Sequence, residues 1–592
     1  MKNVNKYLLM AVVALATTAC VDDLNTEPID KNSSTSFNQA RMFTKCYATL
    51  ALTGQEGPTG DQDVEDIDEG TSAFFRTIWY MNTIPTDEGW WIWTDDGVPQ
   101  LRINAWDGEN VLVKGIYGRL TMDIKYCNHF LAYAIGSDDE TQKERAEVRF
   151  IRALNYYYLL DFFRNAPLSL EESTVYPHYV SRADLYNWLV GELKDLTELL
   201  PAKRLSMYRV DQAAAWLLLA RVYLNSGVYL ADDTATPVDT KPTEANMLAA
   251  KAAAEKALTY GYQLYTTPTS YEATGVTYTA YQKLFMGDNK NPNTTGPIAT
   301  ESPLIIYQDG AYSRSYGGSF LTAAMRISGM VAWGASDQWS CFRSSPTLVY
   351  NFTRPAGYVD QDVSTKIKAN EYEMPKVLKD DRAILCSFVK AQSKGGKDLV
   401  WKVEGKRSKG NAENFMDCWA APKFTNVYST VDRPEKSVGS DKAWPDFDLP
   451  MMRIAEAHLI KAEAMYRLGD APGALAEINN TIRQRANAEP LTKLDDETLL
   501  AEWCREFWGE GRRRTDLIRF DHFFGPQSDQ YKYNWEGRMD KDDGSSSFKS
   551  GTEVFWNWFP VPSDDKKVNP NYAADVEANS PFEGGDGYVY GK

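Results

Sequence analysis

Pro450–Ala488 reads PMMRIAEAHLIKAEAMYRLGDAPGALAEINNTIRQRANA. Met452, Ala455, Leu459, Ala462 and Tyr466 recur at helical spacing and lay one apolar stripe along a helix. Gly469 supplies a stop, Asp470 a cap for the next helix, and Pro472 sits near that helix's first turn. Leu475, Ile478 and Ile482 then form a second stripe. Two amphipathic helices joined by a tight turn cannot bury both faces alone, so hairpins of this kind stack in series.

Further segments carry the same pattern. Glu147–Leu168, EVRFIRALNYYYLLDFFRNAPL, places Ile151, Leu154, Tyr158 and Phe162 on one face, with Asn165 and Pro167 as the stop. Ser181–Pro201, SRADLYNWLVGELKDLTELLP, opens with Ser181 and Asp184 spaced as in a capping box. Its stripe is Leu185, Leu189, Leu193, Leu196 and Leu200, and Pro201 ends it. DQAAAWLLLARVYLNSG (211–227) pairs with TEANMLAAKAAAEKALTYG (243–261), and a looser pair joins 36–52 to 110–134. The turn AMYRLGDAPGAL resembles that of tetratricopeptide hairpins, with a small residue where helices pack closely. Four hairpins are predicted, against the minimum of about three that a stack needs.

Two long stretches interrupt the hairpins: Gly54–Asn110 and residues 266–447. Loops of that length without structure are rare in a compact domain. Short helices, strands and ordered loops packed on the helical scaffold are therefore expected, and loops held on a rigid scaffold are where binding usually resides. The first interruption contains Asp87–Gly97, DEGWWIWTDDG, and five of the chain's 17 tryptophans lie between Trp79 and Trp106.

The remaining composition narrows the function. The chain has 592 residues, 43% of them hydrophobic and 13% aromatic, and a formal charge of −17. Nucleic-acid binding needs a basic footprint, and RSKG and RRR are only short local runs. A neutral ligand suits this charge better than a polyanion. Lys2 and Lys6 precede the apolar run YLLMAVVALA and then TTAC, the layout of an export signal too short for a permanent membrane span. The break before Cys20 resembles a bacterial lipobox, with Thr17 in place of the usual Leu, so Cys20 is the expected lipidation site; plain secretory cleavage is the alternative. Cys46, Cys127, Cys341, Cys386, Cys418 and Cys504 are widely spaced with no CxxC pair. They read as small buried side chains rather than zinc ligands.

Taken in order, CVDDLNTEP, RFIRALNYYYLLDFFRNAPL, LPMMRIAEAHLIKAEAMYRLGD, INNTIRQRA, REFWGEGRRRTDLIRF and NWFPVPSDDKKVNPNY resemble the SusD/RagB family of outer-membrane lipoproteins across nearly the whole chain. The resemblance implies a mainly α fold: four tetratricopeptide-type hairpins packed with a loop-rich region of short helices and strands. It implies residues 1–19 as signal peptide, 20–36 as a tether after lipidated Cys20, and 37–592 as one SusD-like domain. Within that domain the helical repeats span about 37–265 and 448–520, and the insert about 266–447. It also implies a lipid-anchored location on the outer face of the outer membrane and a SusC-like TonB-dependent transporter as partner. The expected function is capture of oligosaccharides without cleavage, with no cofactor, no metal and no nucleic acid. Peptide capture on the same fold and surface glycoside hydrolysis are the alternatives.

The family role suggests an answer to the tryptophan cluster. An indole face is flat and weakly negative, and the axial C–H face of a sugar ring is weakly positive. Trp90, Trp91 and Trp93 from the first interruption, with Tyr312, Trp333 and Trp339 from the insert, are the candidate ligand-binding residues. Core filling is the competing reading for each. If the segment is extended, Trp91 and Trp93 share a face and Trp90 lies opposite. The charged run Glu506, Glu510, Arg512, Arg513, Arg514 and Asp516 reads as a knot of structural ion pairs rather than an anion site. The acidic loops around Asp61, Asp63, Asp66, Asp68 and Glu69, and around Asp540, Asp542 and Asp543, lack EF-hand spacing and read as solvated loops. His129, His178, His458 and His522 are scattered, and the common nucleophile, phosphate-loop and zinc motifs are not found. A pair of carboxylates placed for glycoside hydrolysis is not something a sequence with 81 acids excludes.

Overall fold

The computed structural model describes residues 36–54, 62–91, 93–102, 106–163, 165–231, 239–272, 275–290, 296–310, 314, 316–326, 339–387, 419–429, 444–523 and 557–577. Its principal helices are α1 (Gln39–Ala48), α2 (Phe74–Thr83), α3 (Val111–Tyr133), α4 (Asp139–Phe162), α5 (Arg182–Leu199), α6 (Gln212–Leu224) and α7 (Glu244–Ala257). After these come α8 (Tyr316–Met325), α9 (Pro346–Thr353), α10 (Ile454–Arg467), α11 (Ala471–Ile478), α12 (Asp496–Phe507) and α13 (Arg513–Arg519). Signal residues 1–19, Cys20 and most of the tether lie outside the described residues, as do Asp540, Asp542 and Asp543.

Short polar side chains start many of these helices by accepting backbone N–H groups that the first turn leaves unpaired. Asn110 does so for Leu112 and Val113, Asp138 for Thr141, Ser181 for Asp184, Asp211 for Ala213, Thr243 for Asn246 and Asp495 for Thr498. The capping residue read at Ser181 and the cap at Asp470 are both present. Gly469 ends α10 with φ +91°, a left-handed backbone that glycine adopts without penalty. Helix α4 begins earlier than its apolar stripe, because Asp138 nucleates a polar first half, DETQKERAE, that carries little hydrophobic periodicity.

The helices pack in the predicted pairs: α1 on α3, α4 on α5, α6 on α7 and α10 on α11. Contacts of α3 with α4, α5 with α6 and α7 with α10 join the pairs into one stack. Helix α6 is buried at all but a few positions, as its QAAAWLLLARVYL sequence requires. Where α11 would continue, Asn479–Arg483 form a π-helical turn instead. The interruptions are ordered as short elements on this scaffold. Four two-stranded antiparallel ladders occur among the described residues: β1 (Gly89–Trp91) with β7 (Phe342–Ser344), β2 (Ala166–Pro167) with β3 (Tyr179–Val180), β4 (Thr269–Tyr271) with β5 (Val276–Tyr278), and β6 (Leu304–Ile306) with β8 (Leu449–Met452); all but β2–β3 draw on the interruptions.

A hydrophobic cluster runs through scaffold and interruptions alike. Cys46, Cys127, Cys341, Cys386 and Cys504 lie buried, as expected for small apolar fillers, while Cys418 is outside the described residues. Beside this core sits the ion-pair knot. Arg453 Nη1 meets Glu301 at 2.6 Å and Glu506 at 2.8 Å, and its Nη2 meets Glu510 at 2.7 Å. Arg485 pairs with both Glu301 and Glu506, and Lys423 Nζ reaches Glu510 at 2.6 Å. Arg512 binds Glu456 and Asp516, Arg514 binds Asp161, and Arg519 binds Glu463. Burial by itself would raise the Glu506 carboxyl, but the guanidiniums of Arg485, Arg453 and Arg382 outweigh it and hold it down to about 2. These arginines of REFWGEGRRRTD are neutralised from within, which makes the run structural.

Candidate functional site

The first interruption is held in place from the far end of the chain. On α2, the Trp79 indole N–H donates to the Gly509 carbonyl at 3.1 Å and Asn82 Nδ2 donates to that of Gly511 at 3.0 Å. Arg513 grips Asp87 through two bonds of 2.6 and 2.8 Å. From that clamp the chain enters β1, which pairs with β7 in the register Gly89↔Ser344, Trp90↔Arg343 and Trp91↔Phe342. A Cβ on Gly89 would lie 2.2 Å from Phe342 Cζ and 2.5 Å from the Arg343 carbonyl, so only glycine lets the two strands close.

Trp91 is not a ligand platform. It is 1% exposed and packs edge-on against Tyr80 and Trp79 at ring separations of 5.0 and 5.9 Å. Phe342 and Phe320 complete the cluster by packing on Trp79. The buried indole N–H is satisfied by Asp95 Oδ2 at 3.1 Å. The expectation that Trp91 shares a face with Trp93 therefore fails, because the ladder turns Trp91 into the core while Trp93 is half-buried and lies in a bend.

Trp93 and Trp339 do come together. Their ring centroids stand 6.0 Å apart with planes inclined at 32°, and both side chains are half-buried. Trp339 is fixed by its backbone N–H, which donates to the Ala323 carbonyl at the end of α8 at 2.8 Å. The Trp90 side chain, Tyr312 and Trp333 lie outside the described residues.

Sequence reading missed Arg76. It sits on α2, its guanidinium 5.5 Å from the Trp339 ring centre and 5.2 Å from that of Tyr80. Nε donates to the Tyr80 hydroxyl at 2.8 Å, which orients the fork behind the indole pair. The signal was a lone charge in FFRTIWYMNT, a helix otherwise uncharged and buried throughout. At the rim, Asp95 and Asp96 are exposed. Flat apolar faces, a fixed guanidinium and rim carboxylates together suit a neutral ligand with C–H faces and many hydroxyls.

Glu88, next to Asp87 at the entry to β1, is buried. Burial pushes its carboxyl up to about 7, against the Gly509 N–H and the positive charges of Arg513 and Lys423. In the first acidic loop Asp63 is bound by Arg119 at 2.6 Å and Asp68 by Thr71, and Asp61 is outside the described residues. His129 and His458 are tied to Glu172 and Glu477, and His178 to Asp575.

Starch-binding protein SusD of Bacteroides thetaiotaomicron is 34% identical to this chain over 591 residues, covering 95% of this chain and 96% of that protein. The chain belongs to the SusD family. The sequence model of that family matches residues 311–575, a stretch that includes β7, Trp339 and much of the ion-pair knot, though not Glu301. Solved structures show the SusD fold. A SusD-like carbohydrate binding protein from Bacteroides fragilis superposes with TM-score 0.59 at 18% identity, covering 90% of this chain and 98% of that one. A structure solved with xylogluco-oligosaccharide superposes with TM-score 0.60 at 16% identity, covering 90% and 97%.

Proposed function

We propose that this SusD-family chain is a non-catalytic glycan-capture protein. The observation that carries the reading is the Trp93–Trp339 pair. Two indoles from distant parts of the sequence meet at a half-open rim, with Arg76 fixed behind them. Sugar rings lie against the indoles by their C–H faces. The Arg76 fork donates to ring or hydroxyl oxygens, and Asp95 and Asp96 accept from hydroxyls. Trp90, Tyr312 and Trp333, whose side chains lie outside what the structure describes, are proposed as further ligand-binding residues on the strength of the sequence alone. The relative's name supplies the first ligands to try, and starch oligosaccharides head that set.

In this reading the protein is lipidated at Cys20, faces the cell exterior on the outer membrane, and hands its ligand to a SusC-like TonB-dependent transporter. Residues 20–36 act as the tether. No helix among the described residues is long and apolar enough to cross a membrane, which fits attachment by lipid. The boundaries given above for signal, tether and domain belong to the same proposal.

Isothermal calorimetry of the mature chain with maltoheptaose and with xyloglucan oligosaccharides tests it. Trp93→Ala and Trp339→Ala are each expected to weaken binding by about 2 kcal/mol or more, as aromatic anchors do. Wild-type affinity in both variants would refute the platform. Release of reducing ends from polysaccharide by the pure protein would refute the non-catalytic reading, and selective retention of peptides from a mixed digest would favour peptide capture instead.

A further inference from the structure

A second concave surface shares no residue with the tryptophan site. It is an open groove of about 970 Å³ between the segment that follows α7, the β4–β5 hairpin, and the α10–α11 pair with its π turn. Its volume falls at the upper end of ligand-binding clefts, roughly 300–1,000 Å³.

The wall on the helical side is unusual in its chemistry. Asn480 and Gln484 stand four apart, about one helical turn, Asn487 follows in a turn with left-handed backbone (φ +49°), and all three are exposed and line the groove. The side chains of Asn480 and Gln484 have no hydrogen-bond partner among the described residues. Asn487 uses its Nδ2 on Asp381 at 2.7 Å and keeps its carbonyl oxygen free. The π turn at Asn479–Arg483 lies within this wall; such turns recur at functional sites because they re-aim side chains at the cost of regular helical bonding. Across the groove stand Thr277 on β5 and Thr279 just beyond it; the Thr277 hydroxyl pairs with that of Ser270 and the Thr279 hydroxyl accepts from Gln282 N–H. Half-buried Leu258 and Leu264 supply an apolar strip between them.

Most charges in the groove are already compensated; Asp381 has no ion pair among the described residues, is held by Asn487 alone, and burial raises its carboxyl to about 6. Glu477 binds His458 Nδ1 and Lys461 Nζ, each at 2.7 Å, and Arg485 is held by Glu301 and Glu506. An anionic ligand would find no unpaired cation there. What remains open is an array of groups that each donate and accept, next to a small apolar strip. Vicinal hydroxyls on a saccharide match side-chain amides in just this way, one oxygen accepting while the other donates.

We propose that this groove is a second saccharide site, which holds a neighbouring stretch of the same polymer that the tryptophan site grips. The inference rests on the glycan-capture reading above. Binding at two points makes the second contact intramolecular and raises retention of polymer without raising affinity for short oligosaccharides at the first site.

Hydrogen exchange of the full mature chain, with maltoheptaose and amylopectin as probes, tests it alongside the variants N480A/Q484A and W93A/W339A. The first pair is exposed and leaves folding intact. Glycan is expected to protect peptides covering 477–487 and 262–280 separately from those around Trp93 and Trp339. N480A/Q484A is expected to abolish the former and to cut amylopectin retention by about ten-fold or more. The same variant leaves maltoheptaose affinity at the tryptophan pair within about two-fold, as distant sites act independently. W93A/W339A is expected to keep the groove protection. A glycan that protects the tryptophan region and never the groove overturns this inference and leaves the capture reading standing. Protection of the groove by peptide rather than glycan overturns it too. A wild-type chain that binds neither these probes nor xyloglucan oligosaccharides overturns both readings.

Discussion

At the scale of single residues, the site depends on side chains whose burial decides their role. Trp91 and Trp93 are two positions apart, yet one is sealed in the core and the other stands at the rim. Trp91→Ala is expected to cost about 3–5 kcal/mol of stability, the range for removing a large buried ring. Urea denaturation would show it, whereas Trp93→Ala should leave the urea midpoint nearly unchanged. Glu88 makes stability depend on pH. Its folded value is raised from 4.5 to about 7, so the folded chain holds the proton more tightly than the unfolded one. That contribution is fully present below 4.5 and is lost as pH rises through about 7. Wild type should therefore lose up to about 3 kcal/mol relative to Glu88→Gln across that window, as urea midpoints at pH 5 and pH 8 would reveal. Equal pH slopes in both proteins would refute this. The tryptophan cluster was legible as a feature of the sequence, but its division into core and rim was not. That division follows from the β1–β7 pairing, a contact some 250 residues apart, which local periodicity does not encode.

At the scale of elements, helices were the most legible because their signals are local. Stripes, caps and stops within a few residues predicted α5, α6, α7, α10 and α11, and the packing of the pairs agrees. What escaped were departures from that local code: the polar first half of α4 and the π turn after Ile478. The ion-pair knot was legible as a cluster of charges, and its partners Arg453, Glu301 and Arg382 were not, since they come from elsewhere in the chain. Arg453→Met is expected to destabilise by about 3–5 kcal/mol, because it leaves Glu301, Glu506 and Glu510 buried with only Arg485, Arg382 and Lys423 to offset their charge. Chemical denaturation would measure this, and a loss below 1 kcal/mol would mean that the carboxylates find other partners. Glu506 carries the opposite pH sign to Glu88. Its pKa is held down to about 2, so its contribution is present above its unfolded value of 4.5 and is lost as pH falls toward 2.

At the scale of the whole molecule, the knot joins the hairpin stack through Arg453 and Arg485, the insert through Glu301, Arg382 and Lys423, and the later helices through Glu506 and Glu510. Scaffold and loops are thus expected to unfold together. Hydrogen exchange of peptides spanning Trp79 and Trp91, which reports the loop cluster, should give the same denaturation midpoint as that of peptides from α6 and α10, which report the helices. Separate midpoints would mean that the loop region melts on its own. The β1 segment is clamped by Arg513 and capped by β7, so its shape is written in residues that leave the ribosome hundreds of positions after it. A nascent or truncated chain that ends before Arg513 has every tryptophan of the platform and no means of arranging them, and so premature fragments are born unable to compete for sugar.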